Sequence, residues 1–161
     1  MATEIERKFL VLNDNWRAQA APGVRYRQGY LSASKTSSVR VRIEGEVARL
    51  NIKSVTLGVT RREYEYAIPM NDAHEILKDL CDGPLIDKLR YHVQHGGHRW
   101  EIDVFEGDNA GLVVAEIELG SEDEIFARPD WLGKEVSHDT RYYNVCLAQH
   151  PFKHWQGQVG D

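Results

Sequence analysis

Seven stretches of this chain alternate charged with apolar residues at a period of two. Side chains two apart on a strand point to the same face, so the pattern predicts strands with one ionic and one apolar side. Glu4, Glu6 and Lys8 share a face opposite Ile5, Arg40 and Arg42 flank Val41, and Lys53 is opposite Ile52. Glu63 and Glu65 flank Tyr64, Lys88 and Arg90 flank Leu89, Glu101 and Asp103 flank Ile102, and Glu116 and Glu118 flank Ile117. A solvated face usually mixes in Ser, Thr, Gln and Asn, but these faces are almost purely acidic or purely basic. About eight strands are predicted, at residues 1–11, 24–32, 39–44, 47–54, 61–69, 85–94, 98–106 and 111–119. Their short connections favour an antiparallel meander, and eight strands are enough to close a barrel. The expected fold is α+β but mainly β: a closed eight-stranded antiparallel β-barrel with a few flanking helices, one domain over residues 1–161.

If the sheet closes, one face of each strand points inward. An unpaired ion in a dry interior costs several kcal/mol, so a charged lumen holds water, metal or a highly charged ligand. The apolar stripes then face outward and need helices over them. Asn71 or Asp72 caps a predicted helix bearing Ile76, Leu77 and Leu80, which Gly83-Pro84 ends. Ser121 and Glu124 have capping-box spacing before Ile125 and Phe126, which predicts a second. A third is expected over residues 141–149, and a short turn over 13–19 is placed across a barrel mouth. Gly96-Gly97 reads as a tight hairpin turn.

Six basic residues (Lys8, Arg40, Arg42, Lys53, Lys88 and Arg90) suit phosphate oxygens, arginine with a planar pair of donors. Eight carboxylates (Glu4, Glu6, Glu63, Glu65, Glu101, Asp103, Glu116 and Glu118) suit hard divalent cations such as Mg²⁺ or Mn²⁺. Phosphate, metal and no dedicated nucleophile point to phosphoryl transfer, which needs positioning and charge neutralisation more than covalent catalysis.

Composition narrows the alternatives. A net charge of −5 argues against a general nucleic-acid binder. No apolar run approaches the roughly 20 residues of a membrane span, and the charged N-terminal stretch is unlike a signal peptide. The expectation is a cytoplasmic protein, monomer or homodimer, with neither nucleic acid nor membrane as partner. Cys81 and Cys146 form no disulfide framework or zinc site and are expected as buried thiols. His92, His95 and His98 are placed at a solvent-exposed hairpin tip and not at a metal, Trp16, Trp100, Trp131 and Trp155 in packing, and residues 151–161 in a fraying tail.

Glu4-Ile5-Glu6-Arg7-Lys8 resembles the ExExK signature of the CYTH-type triphosphate tunnel metalloenzymes. The resemblance continues, in family order, through VRVRIEG (39–45), LNIKS (50–54), RREYEYAIP (61–69), IDKLRY (86–91), WEIDVFEG (100–107) and AEIEL (115–119). ExExK alone is a weak signal; the ordered set over nearly the whole chain is a strong one. What it implies is an eight-stranded β-tunnel that binds triphosphates with divalent metal, nearest to the small bacterial enzymes that hydrolyse inorganic tripolyphosphate. The family pattern implies metal ligation by Glu4, Glu6, Glu116 and Glu118, with Glu63, Glu65 and Asp103 as further candidates. It implies phosphate binding by Arg40, Arg42, Lys53, Lys88 and Arg90, with Lys8 beside the reacting phosphoryl group and Tyr30 resembling a tyrosine that acts with that lysine. The 137–144 segment resembles a C-terminal family element, whose Arg141 reaches a tunnel mouth or serves at a helix start. The same tunnel also serves class IV adenylate cyclases and thiamine triphosphatases. A non-catalytic polyphosphate-binding module is the third alternative, against which the full carboxylate set argues.

Overall fold

The computed structural model describes residues 3–55 and 58–155. Its strands are β1 (Thr3–Val11), β2 (Val24–Ala33), β3 (Ser37–Glu44), β4 (Val47–Ser54), β5 (Thr60–Ile68), β6 (Asp82–His95), β7 (His98–Phe105), β8 (Val113–Leu119) and β9 (Leu132–Glu135). Helices α1 (Met70–Asp79) and α2 (Asn144–Gln149) accompany four short 3₁₀ turns among the described residues. The first two residues of the expected first strand and the last six of the expected tail lie outside the described residues.

The sheet runs β5-β4-β3-β2-β6-β7-β8-β1-β9 and closes through a β1–β5 pairing, so eight antiparallel strands form the barrel. The order is not the simple meander expected. Strands β2 to β5 form one meander and β6 to β8 another, with β6 beside β2 and β1 joining β8 to β5. α1 explains the crossover. Its Ala73 and Leu77 pack on the outward side chains Val41, Ile43 and Ala48, so the chain leaving β5 passes over β4 and β3 before re-entering beside β2. The β6–β7 hairpin turns at Gly96 and Gly97, at φ of 57° and 85°, the left-handed pair a tight two-residue hairpin requires.

The strand β9 was not anticipated. One edge of β1 bonds β8 along its length. The other is shared: Thr3–Ile5 pairs with β5, and β9 sits against Phe9 and Val11. The helix expected after Ser121 does not form. The Glu124 carboxylate accepts the Gly120 N–H at 2.6 Å and lies 2.5 Å from His98 Nε2, which fixes a turn there in place of a helical cap.

Among the described residues the buried apolar side chains form three clusters. Outside β1, β7 and β8, Phe9, Trp16, Trp100 and Trp131 are buried, with Phe126 edge-on to Phe9 and Trp100. α1 covers β3 and β4. The third cluster draws on the inward faces: Ile86, Phe105 and Val114 follow the alternation of Lys88, Asp103 and Glu116 and meet Tyr142, Leu147 and Trp155. This apolar plug, with Trp155 at 5.1 Å from Tyr142, takes the place of the expected fraying tail as far as residue 155. The 3₁₀ turn Asn15–Gln19 buries Trp16 in the outer cluster. Cys81 and Cys146 are free and half-buried. No helix among the described residues is long and apolar enough to cross a membrane.

Candidate active site in the barrel lumen

The register brings the charged side chains together. Strand pairing puts Glu6 opposite Glu118, Lys8 opposite Glu116, Glu101 opposite Glu116, Arg90 opposite Asp103 and Lys53 opposite Glu63. All follow the inward alternation of their strands, and all but Asp103 surround a cavity of about 230 Å³. Of the residues singled out in the sequence, Glu4, Glu6, Lys8 and Tyr30 line it, as do Arg40, Arg42, Lys53, Lys88 and Arg90. So do Glu63, Glu65, Glu116 and Glu118.

Asp103 is the exception. It is fully buried beneath the cavity wall and receives both arms of Arg90, at 2.7 and 2.8 Å, and Lys88 at 2.8 Å. Burial pushes its carboxyl up, but Arg90 and then Lys88 outweigh this and hold it far below the usual carboxylate range. With both oxygens bound to cations, it stands as a buried counter-charge outside the cavity lining.

Glu101, not Asp103, is the β7 carboxylate that converges with others in the lumen. One carboxylate oxygen from each of Glu6, Glu101 and Glu116 lies within 4.8 Å of the others, the one such acidic group among the described residues that could hold a metal ion. Arg90 reaches Glu101 at 2.9 Å and Glu116 at 3.9 Å. Like charges so close in a partly desolvated site favour a bound proton or a cation. Burial, and next Glu116, push Glu6 up to about 7. Glu116 is held at about 2 because Lys8 and Arg90 outweigh its burial. The all-oxygen donor set and the strained Glu6 fit a hard divalent cation. The sequence signal for Glu101 was present, since it alternates with Asp103 on β7; the resemblance did not select it.

A second acid–base group lies along β1, β4 and β5. Lys53 Nζ is 3.0 Å from Glu63 and 3.7 Å from Glu4. Burial raises both carboxyls. For Glu63, Lys53 and a hydrogen bond with Glu4 outweigh it and bring it to about 2, while Glu4 rises to about 9. The pair therefore shares one proton near neutrality. Asn51, which the sequence reading passed over, donates to Glu63 at 3.3 Å and Glu65 at 2.8 Å. Arg42 is bound to Glu44 and lies 3.8 Å from Glu65.

The plug segment holds two lumen lysines. Lys8 Nζ donates to the Tyr142 carbonyl at 3.0 Å and lies 3.5 Å from Glu116, while its backbone N–H donates to Ser137 Oγ. Lys88 Nζ donates to Asn144 Oδ1 at 3.2 Å. Complete burial brings Lys88 down to about 8 despite the neighbouring Asp103. Tyr30 is paired with Arg40 across the β2–β3 register. Arg141 is bound to Asp139 at 2.7 Å, beside the turn before α2. The three histidines are half-buried and not at an exposed tip: His92 lies 3.4 Å from Glu101 and His98 binds Glu124, and they form no common metal site among the described residues.

The family model for the CYTH domain matches residues 2–144. The chain is 48% identical to an inorganic triphosphatase of Acetivibrio thermocellus over 97% of its length and 99% of that protein. It is 38% identical to an inorganic triphosphatase of Nitrosomonas europaea over 91% of its length and 97% of that protein. A crystal structure of an inorganic triphosphatase superposes at a TM-score of 0.64, with 36% identity, covering 89% of this chain and 96% of the other. A putative adenylate cyclase from Bacillus halodurans shares the fold at a TM-score of 0.59 and 15% identity.

Proposed function

This chain belongs to the CYTH domain family, and from that premise we propose that it hydrolyses inorganic tripolyphosphate to pyrophosphate and phosphate with a divalent cation, Mg²⁺ or Mn²⁺. The observation that carries the reading is the closed lumen, where the Glu6–Glu101–Glu116 acid group lies against Lys8 and Arg90. Simple phosphate binding gains nothing from converging carboxylates; phosphoryl transfer needs both signs of charge at once. The two relatives of 48% and 38% identity are inorganic triphosphatases, whereas the likeness to the cyclase is one of fold.

Glu6, Glu101 and Glu116 would hold the cation, with Glu4 and Glu118 beside them. When bound, the metal supplies charge neutralisation and Lewis acidity at phosphate oxygens. Arg40, Arg42, Lys53, Lys88 and Arg90 offset the charge that spreads onto the equatorial oxygens. Lys8, fixed by the Tyr142 carbonyl, directs its ammonium toward the reacting phosphoryl group. The plug of Tyr142, Leu147 and Trp155 excludes water from one end. Tyr30, opposite Arg40 in the strand register, sits on the wall facing Lys8; an alkaline-rising rate assigns proton acceptance to Lys8 or Tyr30 and a flat or acidic profile assigns it to a carboxylate.

A phosphate-release assay with tripolyphosphate and Mg²⁺ or Mn²⁺ is the test. Rapid, metal-dependent release, with thiamine triphosphate a poor competitor and no cyclic AMP formed from ATP, supports the reading. Cyclic AMP as the product, or binding without turnover, overturns it.

A further inference from the structure

Most cations of the lumen are already matched. Lys8, Arg42, Lys53, Lys88 and Arg90 each have a carboxylate at ion-pair distance. Among the described residues two have none: Arg40, already placed among the phosphate binders, and Arg61, which lines the cavity on the inward face of β5, opposite Glu4 on β1. The Arg61 Nη2 donates to the Gly58 carbonyl at 3.0 Å, and its buried Nε has no hydrogen-bond partner. A buried guanidinium nitrogen without an acceptor is costly, and native proteins rarely keep one unless a ligand or water completes it.

The Tyr143 ring fixes where that guanidinium points. Arg61 lies over it at 5.4 Å and Lys8 Nζ at 5.7 Å, so one aromatic ring serves both cations. The Tyr143 hydroxyl donates to the Ser137 carbonyl at 2.8 Å, and Ser137 Oγ accepts the backbone N–H of Lys8. Arg61, Tyr143 and Lys8 are therefore tied to a single segment at one end of the cavity.

We infer that Arg61 is a further phosphate-binding residue, gripping the same end of a polyphosphate chain as Lys8, and that Tyr143 is the residue that positions it. The inference rests on the proposed triphosphatase reading. An anion at that end completes the open Nε valence and supplies the counter-charge that the protein itself withholds, and the planar fork suits paired phosphate oxygens.

Steady-state hydrolysis of tripolyphosphate by the full chain with saturating Mg²⁺ tests it, alongside melting temperatures. Arg61→Ala raises KM roughly ten- to hundredfold, the range expected for losing a charge-assisted contact. It also reduces the rise in melting temperature on adding tripolyphosphate with Ca²⁺. Arg61→Lys recovers part of the KM, since it keeps the charge without the fork. Tyr143→Leu shifts KM the same way by a smaller factor, and Tyr143→Phe, which keeps the ring, less than Tyr143→Leu. Arg62→Ala, on the outward face, leaves KM unchanged. Should Arg61→Ala not fold, Arg61→Gln, which keeps the reach along Tyr143, is read in its place. An active wild type whose Arg61→Ala or Arg61→Gln variant keeps its KM overturns the inference alone. A wild type without turnover of tripolyphosphate overturns the functional reading instead.

Discussion

The Lys88 ammonium lies 2.8 Å from the Asp103 carboxylate, and both side chains are withdrawn from solvent. Arg90 binds the same carboxylate with two nitrogens, so one acid neutralises two cations of the lumen wall. Removing one member of a buried ion pair leaves an uncompensated charge, which costs about 3–5 kcal/mol. Asp103→Ala is therefore expected to lower the melting temperature by on the order of 10 °C, more than any of the lumen-lining glutamates. Chemical denaturation checks it; a variant within 1–2 kcal/mol of wild type would refute the counter-charge role.

The acid group makes a contrasting prediction. Glu6→Gln, Glu101→Gln and Glu116→Gln each remove one carboxylate from the converging set. Each is expected to lower tripolyphosphate turnover by roughly a hundredfold or more. Glu6→Gln also relieves the repulsion from Glu116 in the metal-free protein, so its melting temperature without metal rises. Activity and stability then move in opposite directions. Turnover within severalfold of wild type in Glu101→Gln would remove that residue from the site.

Glu101 and Asp103 also mark how far the sequence reaches. Period-two alternation is set by local backbone geometry, so the strands, their inward faces and the charged lumen were legible without coordinates. Which inward carboxylate meets open space and which is sealed under Arg90 depends on the depth of each along the barrel, fixed by the β6–β7 and β7–β8 registers. Strand order was lost for a similar reason. The crossover beneath α1 is decided by where Ala73 and Leu77 find cover, a tertiary choice with no local signature. Arg61 shares the period-two face of Glu63 and Glu65, so its inward side was legible; its position opposite Glu4 comes from the β1–β5 closure, which has no local signature.

Metal-free stability should fall as pH rises. Burial holds Glu6 at about 7 and Glu4 at about 9, both above the ordinary 4.5 they regain on unfolding. For a raised carboxyl, the stabilisation is complete below the unfolded value and is lost as pH climbs through the folded one. The melting temperature with a chelator present is thus expected to decline from about pH 5 to pH 9, by on the order of 5 °C or more. Millimolar Mg²⁺ should flatten the decline, because binding displaces those protons. A chelated protein whose stability rises steadily over that interval would contradict the protonated Glu4 and Glu6.

The same charges govern substrate entry. Seven carboxylates and seven basic side chains line the cavity, and of the basic ones Lys8, Arg42, Lys53, Lys88 and Arg90 are already matched to acids. A tripolyphosphate anion entering the metal-free cavity meets Glu6, Glu101 and Glu116 at short range, in a medium where unlike charges attract and like charges repel far more strongly than in water. Divalent cations at the acid group reverse the local sign. Calorimetric titration of tripolyphosphate is therefore expected to show negligible binding with a chelator and clear binding with Ca²⁺ or Mg²⁺, a difference of at least roughly a hundredfold in Kd. Glu6→Gln combined with Glu101→Gln should shrink that difference from both ends: the metal no longer binds well, yet the repulsion it had to overcome is reduced. Equal affinity with and without metal in the wild type would mean that the basic wall alone captures the anion, and that the carboxylates serve some step after binding.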